Sequence, residues 1–448
     1  MPAGSNPRLN DIPDDPNQVN QHYLDHVVDT TAHHTVEVTE DIVSGTGIKL
    51  LAKGAHIEPT LRDRLLQHKL QKPLEDCLQV VDGVSPERFG PIAEELLTTH
   101  PLLAALCQTE RAAQPIPASL SRLKLSGPIL SLLTVYSRYQ PDRLRHGVGV
   151  AMLAMALGRK LVPGDIERHR LLALAGLVHD IGELYIDPEH LKRGNQLAPE
   201  QWRHIVTHPL IAHRVLRGME GAGQEVAEAV LLHHERLDGF GYPHGASGAS
   251  LTLNGQVLGA AEWLMALLES GLMPLARLIV ATRIIPGEFA PALIQVIEDA
   301  ATRSQVVQTA TTPLEQAVPR VARIAETMRR FAQHRAWIEA RIADARGELK
   351  RALVSGLGRM QRLQTAFSST GLDAADPEAL LHQLAALHDP KVHLEVITIV
   401  REIEWRLRSL ERESLLRSSL LPAEDDDVMR ELIARLTGRS ASGVQAPA

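Results

Sequence analysis

LLALAGLVHDIGELY, residues 171–185, is the stretch that settles how this chain folds. An apolar run from Leu171 to Val178 leads straight into His179 and Asp180. A run so rich in Leu and Ala favours helix. An imidazole and a carboxylate at the end of a buried helix are costly unless they are paired or bound to a metal. A lone His-Asp couple is more often a hydrogen-bonded pair than a ligand set, so the neighbouring segments decide.

Working outward, PDRLRHGVGVAMLAMAL (residues 141–157) places His146 at the start of another apolar helix. Asp142 stands four residues earlier, on the same helical face if the helix reaches back that far. VTHPLIAHRVL (206–216) sets His208 before Pro209. In EVAEAVLLHHERLDGFGYPHG (225–245), His233 and His234 end an apolar helix and the loop DGFGYP follows. GQVLGAAEWLMALLE (255–269) puts Glu262 inside a strongly apolar helix. Taken singly, each has a plain structural explanation: a core histidine, a cap, a carboxylate paired with Arg. Five segments that each bring His, Asp or Glu to an apolar run are hard to explain by packing alone. Imidazole together with carboxylate suits Fe, Mn, Zn or Ni rather than Ca, which prefers oxygen shells. The lack of thiolate ligands argues against a structural zinc site.

Composition agrees with a helical protein. Aromatics are only 3% of the 448 residues, so the core is built from Leu, Ala, Val and Ile, which favours helix over sheet. A net charge of -7 points away from a protein that binds a nucleic-acid polymer, which would usually show a basic stripe. It leaves room for a small anionic ligand, because bound metal ions invert the local charge. Cys77 and Cys107 form no CxxC pattern, which points away from a disulfide framework and toward a reducing compartment. No signal-like start and no apolar run of membrane-spanning length is present, so a cytoplasmic protein without a membrane partner is expected.

The chain divides by composition into five parts. Residues 1–22 read as a disordered arm, rich in Pro, Asn and Asp. Residues 23–112 read as a small mixed module. In it HTVEVTEDI (34–42) and TGIKLLAKGAHI (46–57) suggest a hairpin or small sheet, and PTLRDRLLQHKLQKPL (59–74) a helix. QPIPAS (114–119) is a break. From 120 to 300 successive helices are separated by turn signals such as Pro163-Gly164 and the Gly-rich run 238–248. In 312–421, Val321, Ile324, Met328, Phe331, Ile338 and Ile342 repeat at helical spacing, as do Val392, Val396, Ile399, Ile403, Leu407 and Leu410. Such helices suit a bundle within one chain or a dimer seam equally well. Residues 422–448 read as a mostly disordered tail with one short helical stretch.

His146, His179-Asp180 and a later acidic residue resemble the H…HD…D layout of the HD phosphohydrolase superfamily. His208-Pro209, the pair His233-His234 and above all HHERLDGFGYP (233–243) are similar to the HD-GYP family. Most of its studied members are bacterial phosphodiesterases that linearise or hydrolyse cyclic di-GMP at a two- or three-metal centre. The resemblance spans about residues 120–270, and residues 41–54 also resemble a module found ahead of such domains. It implies a mainly α fold: an HD-type helical bundle with a small mixed α/β N-terminal module and a helical C-terminal extension. It implies two or three divalent metal ions, Fe or Mn first and Zn or Ni next. Their ligands would be His146, His179, Asp180, His208, His233, His234, Glu262 and, at a third site, Asp142. His179 and Asp180 would be the catalytic pair, with Asp180 bridging two metals. Tyr242, Gly241, Asp238 and Glu183 would lie at the substrate. The implied partners are a cyclic dinucleotide, a signalling protein at the GYP loop, and a second copy through the C-terminal helices.

The sequence also departs from the family pattern. Glu183 stands where HDxGK has Lys, a residue that would anchor a substrate phosphate. Glu262 replaces Asp, and Met265 replaces the second Asp of aDvfDA. ESGLMPLARL (269–278) has no counterpart to the RPYR-like stretch that follows in the family. Two readings follow: a metal-dependent phosphodiesterase for a cyclic dinucleotide, or a degenerate HD-GYP signalling or scaffold protein that binds metal and nucleotide or partner without efficient hydrolysis. A phosphohydrolase for another phosphate ester is a third.

Overall fold

The computed structural model describes residues 17–108, 114–192, 199–270, 274–284, 287–304, 314–374 and 376–438. It is a mainly helical protein with two small antiparallel sheets. The first described helix, α1 (Gln21–Thr30), is capped by the Asn20 side chain, which accepts from the Tyr23 N–H. Residues 1–16 of the expected arm lie outside the described residues, while 17–22 are structured. Strand β1 (Val36–Val38) follows, then β2 (Ile42–Val43) and β3 (Lys49–Leu51), which form the expected hairpin. β1 instead pairs with β4 (Leu78–Val80), a partner the sequence pattern did not disclose. The helix expected over 59–74 is short: α2 spans Arg62–Leu66. The chain then leaves helical geometry to pair Lys69 with Gln18 and Leu70 with Ser44, with the Leu70 N–H donating to the Asn17 carbonyl at 2.8 Å.

Helices α3 (Phe89–Thr99), α4 (Pro101–Cys107), α5 (Ile116–Leu120) and α6 (Gly127–Tyr139) lead into the centre of the molecule. There α7 (Pro141–Leu161) and α8 (Ile166–Val178) pack closely side by side. The small residues that let them meet are visible in sequence: a Cβ on Gly176 would stand 2.5 Å from the Ala151 Cα. Asp165 caps α8 by accepting from the Arg168 N–H. α8 ends at Val178, and a 3-10 turn over Ile181–Tyr185 follows Asp180. Next come α9 (Pro199–Ile205), α10 (His208–Leu216), α11 (Gly223–Leu231) and α12 (Leu253–Glu269). α13 (Pro274–Ile284) and α14 (Pro291–Arg303) close this part. One apolar core runs from Val19 to Ala301, so the N-terminal strands and the central helices share a single interior. Tyr185 marks the junction: its ring stacks on Tyr23 at 5.0 Å, its hydroxyl donates to Glu75, and its carbonyl accepts from Asn20.

A second core is built by α15 (Val318–Asp344), α16 (Gly347–Ser369), α17 (Pro377–Ala386), α18 (Pro390–Ser419) and α19 (Ala423–Thr437). The repeating residues of α15 and α18 meet in this core, so their apolar faces are covered within the chain. α19 packs on α15 and α18 through Met429, Leu432 and Ile433, so residues 423–437 are an ordered helix rather than tail. Residues 439–448 lie outside the described set. Buried charges tie the second core to the first. Arg406 of α18, fully buried, reaches Glu288 at 3.2 Å and Glu402 at 2.8 Å, and Arg277 of α13 reaches Glu402 at 2.6 Å. Among the described residues no helix is long and apolar enough to cross a membrane.

Candidate metal centre

Three helix ends and two helix interiors bring the seven central residues together. His179 and Asp180 follow α8, His208 opens α10, His233 and His234 follow α11, and His146 and Glu262 lie within α7 and α12. The turn after Asp180 can lie against α10 because residue 182 is glycine: a Cβ there would stand 2.1 Å from the His208 carbonyl oxygen. Two groups of donor atoms result. Asp180, His208, His233 and His234 form one, and His146, His179 and Glu262 the other, with the atoms of each group within 4.8 Å of one another. Asp180 faces both. Its Oδ2 lies 3.2 Å from His179 Nε2, and its Oδ1 lies 3.2 Å from His208 Nε2 and 3.5 Å from His233 Nε2.

The backbone fixes the imidazoles. Nδ1 of His179 meets the Gly176 carbonyl at 2.9 Å, that of His208 the Ile205 carbonyl at 2.8 Å, and that of His233 the Val230 carbonyl at 2.5 Å. A carbonyl only accepts, so each Nδ1 carries the proton and each Nε2 turns a lone pair inward. This is the outer support that metal-binding histidines use. Two observations test whether a cation fits. His179 Nε2 is buried and makes no well-aligned hydrogen bond, although carboxylate oxygens of Asp180 and Glu262 each lie 3.2 Å from it. The Nε2 atoms of His208 and His233 face each other at 3.3 Å, an unfavourable meeting of two lone pairs unless a proton or a cation stands between them. The donor set therefore fits divalent metal ions.

Electrostatics agree. Burial opposes charge on His146, yet the carboxylates of Glu262 at 2.9 Å and Glu269 at 3.0 Å outweigh it and push this imidazole up to about 10. Burial likewise opposes charge on His179, and Asp180 with Glu262 overrides it, holding the group well above the ordinary histidine value. Burial lowers His233 to about 4 and holds His234 well below its usual value. Burial would raise Asp180 and Glu262, but the histidines around them hold both carboxyls well below the usual range. Without a cation, protons on His146 and His179 supply the positive charge that the buried carboxylates require, and metal binding would release them.

The other expected site residues are placed differently. Asp142, in the first turn of α7, is exposed and belongs to neither donor group, so it adds no third set of ligands. Glu183 is buried and neutralised in place: Arg143 donates to it at 2.7 Å and the Tyr136 hydroxyl at 2.6 Å. It is therefore not an open carboxylate facing a bound anion. Arg143 also reaches Asp180 at 3.3 Å. Tyr242 lies at the centre, its ring stacked on His234 at 4.5 Å. Gly241 serves the loop: a Cβ there would stand 2.2 Å from the Glu235 Cα. Asp238 accepts from the Phe240 N–H and pairs with Arg362 of α16 at 3.3 Å, so it is committed to the loop and the second core. Met265, buried, covers Gly149 of α7.

Sequence reasoning missed four residues. Arg143 and Tyr136 hold the Asp180 turn. Glu269 supports His146 and lies seven residues, two helical turns, beyond Glu262, a spacing that could have disclosed it. Glu235, the third residue of HHE, accepts the His244 and Ala246 N–H groups and so pins the GYP loop to the end of α11. The loop is also covered in cis: Arg359 lies over Phe240 at 4.0 Å, and Arg417 donates to the Gly239 carbonyl at 3.1 Å. The surface expected to receive a signalling protein is thus already packed by α16 and α18.

Residues 128–286 match the family model described as an HD domain. A 3'3'-cGAMP-specific phosphodiesterase 3 of Vibrio cholerae is 26% identical over 43% of this chain and 44% of its own length. A 3'3'-cGAMP-specific phosphodiesterase 1 of the same organism is 34% identical over 28% of this chain and 29% of its own. A cyclic di-GMP phosphodiesterase of Pseudomonas aeruginosa is 32% identical over 30% of this chain and 32% of its own. The chain thus spans less than half the length of these relatives. Among solved structures, an HDG"Y"P protein from Bdellovibrio bacteriovorus aligns with a TM-score of 0.34 at 17% identity, covering 60% of this chain and 94% of that one. A likeness at that level carries no argument.

Proposed function

We propose that this chain, whose residues 128–286 form an HD domain of the HD-GYP family, is a metal-dependent phosphodiesterase acting on a cyclic dinucleotide, cyclic di-GMP or 3'3'-cGAMP. The observation that carries this reading is Asp180, whose two carboxylate oxygens turn toward different donor groups. A carboxylate so placed suits a bridge between two cations. The relatives named as phosphodiesterases for these two messengers support the substrate class.

His146, His179 and Glu262 would hold one cation, His208, His233 and His234 the other, and Asp180 both. All-nitrogen and carboxylate donors without thiolate favour Fe or Mn, with Zn and Ni next. Bound there, the ions supply a water of lowered pKa and neutralise phosphoryl oxygens. The chain's own residues hold the geometry. Backbone carbonyls keep three imidazoles in one tautomer. Arg143 holds Asp180 in place by pairing with it and with Glu183. Tyr242, stacked on His234, walls the substrate side.

The pairing of Glu183 with Arg143 and Tyr136 answers one of the three departures, beside Met265 and the missing RPYR-like stretch, that favour reading the site as degenerate. The test is anaerobic reconstitution with Fe or Mn, followed by chromatography of cyclic di-GMP and 3'3'-cGAMP. Linear dinucleotide or mononucleotide products are expected from at least one of them. A full metal load with neither messenger consumed would sink the proposal in favour of a binding protein.

A further inference from the structure

A cavity of about 220 Å³ opens beside the centre. His234, Glu262 and Tyr242 border it from the central helices, and Arg359, Trp405 and Arg412 from the second core. It is below the roughly 300 Å³ at which small-molecule pockets begin, a size suited to one phosphate and its sugar. Three arginines stand on its wall, and two are committed. Arg236 donates to the His233 and Glu235 carbonyls and lies over the Phe289 ring at 5.0 Å. Arg359 pairs with Glu413 at 3.2 Å and lies over Phe240.

Arg412 differs. Among the described residues it has no ion pair, and its Nε, like that of Arg359, is buried with no hydrogen-bond partner. Its guanidinium rests over the Trp202 ring at 5.0 Å. The neighbouring Glu413 carboxylate is taken by Arg359 and Ser409. A guanidinium nitrogen held off water without an acceptor is costly, and the planar fork of the group matches phosphate oxygens. On the central helices, Arg277 of the 269–278 stretch is spent on Glu402.

We propose that Arg412, carried by α18, grips the phosphate of the substrate, so that the second core completes the active site. This rests on the phosphodiesterase reading for its substrate, but its test does not need turnover. Inorganic phosphate is titrated into full-length, Mn-loaded protein, wild type, Arg412→Gln and Arg412→Lys, with calorimetry and tryptophan fluorescence as readouts. Arg408→Gln is the control, one turn earlier on α18 and paired with Glu404 at 3.8 Å. A charge-assisted hydrogen bond lost from the site predicts phosphate binding weaker by about 10- to 100-fold in Arg412→Gln, with the metal content unchanged. Arg412→Lys recovers part of it, Arg408→Gln binds as wild type, and phosphate changes the fluorescence only where Arg412 is present. If a messenger is hydrolysed, Arg412→Gln raises KM more than it lowers kcat.

Phosphate binding that is unchanged in Arg412→Gln, equally weakened in both Gln variants, or absent from wild type overturns the proposal. Should Arg412→Gln not fold, Arg412→Lys stands in, and wild-type affinity there overturns it too. Phosphate binding that depends on Arg412 in a protein that hydrolyses neither messenger would uphold this inference while the phosphodiesterase reading fell.

Discussion

The metal centre and the α18 wall of the cavity beside it are held by different means. On the metal side, His179, His208 and His233 are each fixed by a backbone carbonyl three residues earlier, within their own turn. On the facing side, α18 is held against α13 and the Glu288 loop by side-chain charge, with Arg406 fully buried between Glu288 and Glu402. The first arrangement is short-ranged and survives as long as the helix ends do. The second spans more than a hundred residues of chain and depends on every partner, because a buried charge that loses its counter-charge is strongly destabilising. The metal wall should therefore resist changes that displace the α18 wall.

The strongest way to break this contrast is Asp180→Asn. It removes the charge that faces both donor groups, and should lower metal content and hydrolysis by more than the roughly 10- to 100-fold that outer partners of a metal ligand cost. Elemental analysis beside product chromatography measures it, and retained binding of both ions would remove Asp180 as the bridge. Next is Arg406→Leu, which strands Glu288 and leaves Glu402 with Arg277 alone. Denaturant unfolding should show a loss of about 3–5 kcal/mol, while protein still folded keeps its metal. Metal lost in parallel with stability would show that the two walls are one unit.

Glu183→Lys sharpens the comparison on the metal side. The family pattern alone predicts a gain in messenger affinity from restoring lysine. The structure predicts the reverse, because the new ammonium would sit buried against Arg143, at a cost of a few kcal/mol. Thermal unfolding and a binding titration decide, and a stable variant with tighter binding would restore the view of Glu183 as a missing anchor. The smallest effect is one of pH. Burial, opposed by Arg359 and Arg417, pushes the Glu413 carboxyl up to about 7. The folded protein then holds a proton that the unfolded chain releases near its ordinary value, so this contribution is full below about pH 4.5 and is lost as pH rises through about 7. Glu413→Gln should flatten that decline in a stability-pH profile, and an unchanged slope would place the proton elsewhere.

Much of the metal wall was legible in sequence because each ligand ends or interrupts an apolar run, and burial of such a residue demands a partner. Periodicity misled at Asp142. It shares a face with His146, but the first turn of α7 projects into solvent, while Arg143 beside it turns inward to Asp180 and Glu183. The α18 wall was not legible. Arg412 reads as one more charge in an Arg- and Glu-rich helix, and only the approach of α18 to α9 brings it over Trp202. β4 was missed for a related reason: three residues carry no pattern, and Leu78–Val80 become a strand only through pairing with β1.

Tyr185 lies five residues beyond Asp180 on the same 3-10 turn, yet it is clamped by Tyr23, Asn20 and Glu75. The N-terminal module is thus mechanically in series with the turn that carries Asp180. Whatever ligand or contact prefers one pose of α1 over another does work on that turn, and by reciprocity anything bound at Asp180 that shifts the turn would change how tightly such a ligand is held.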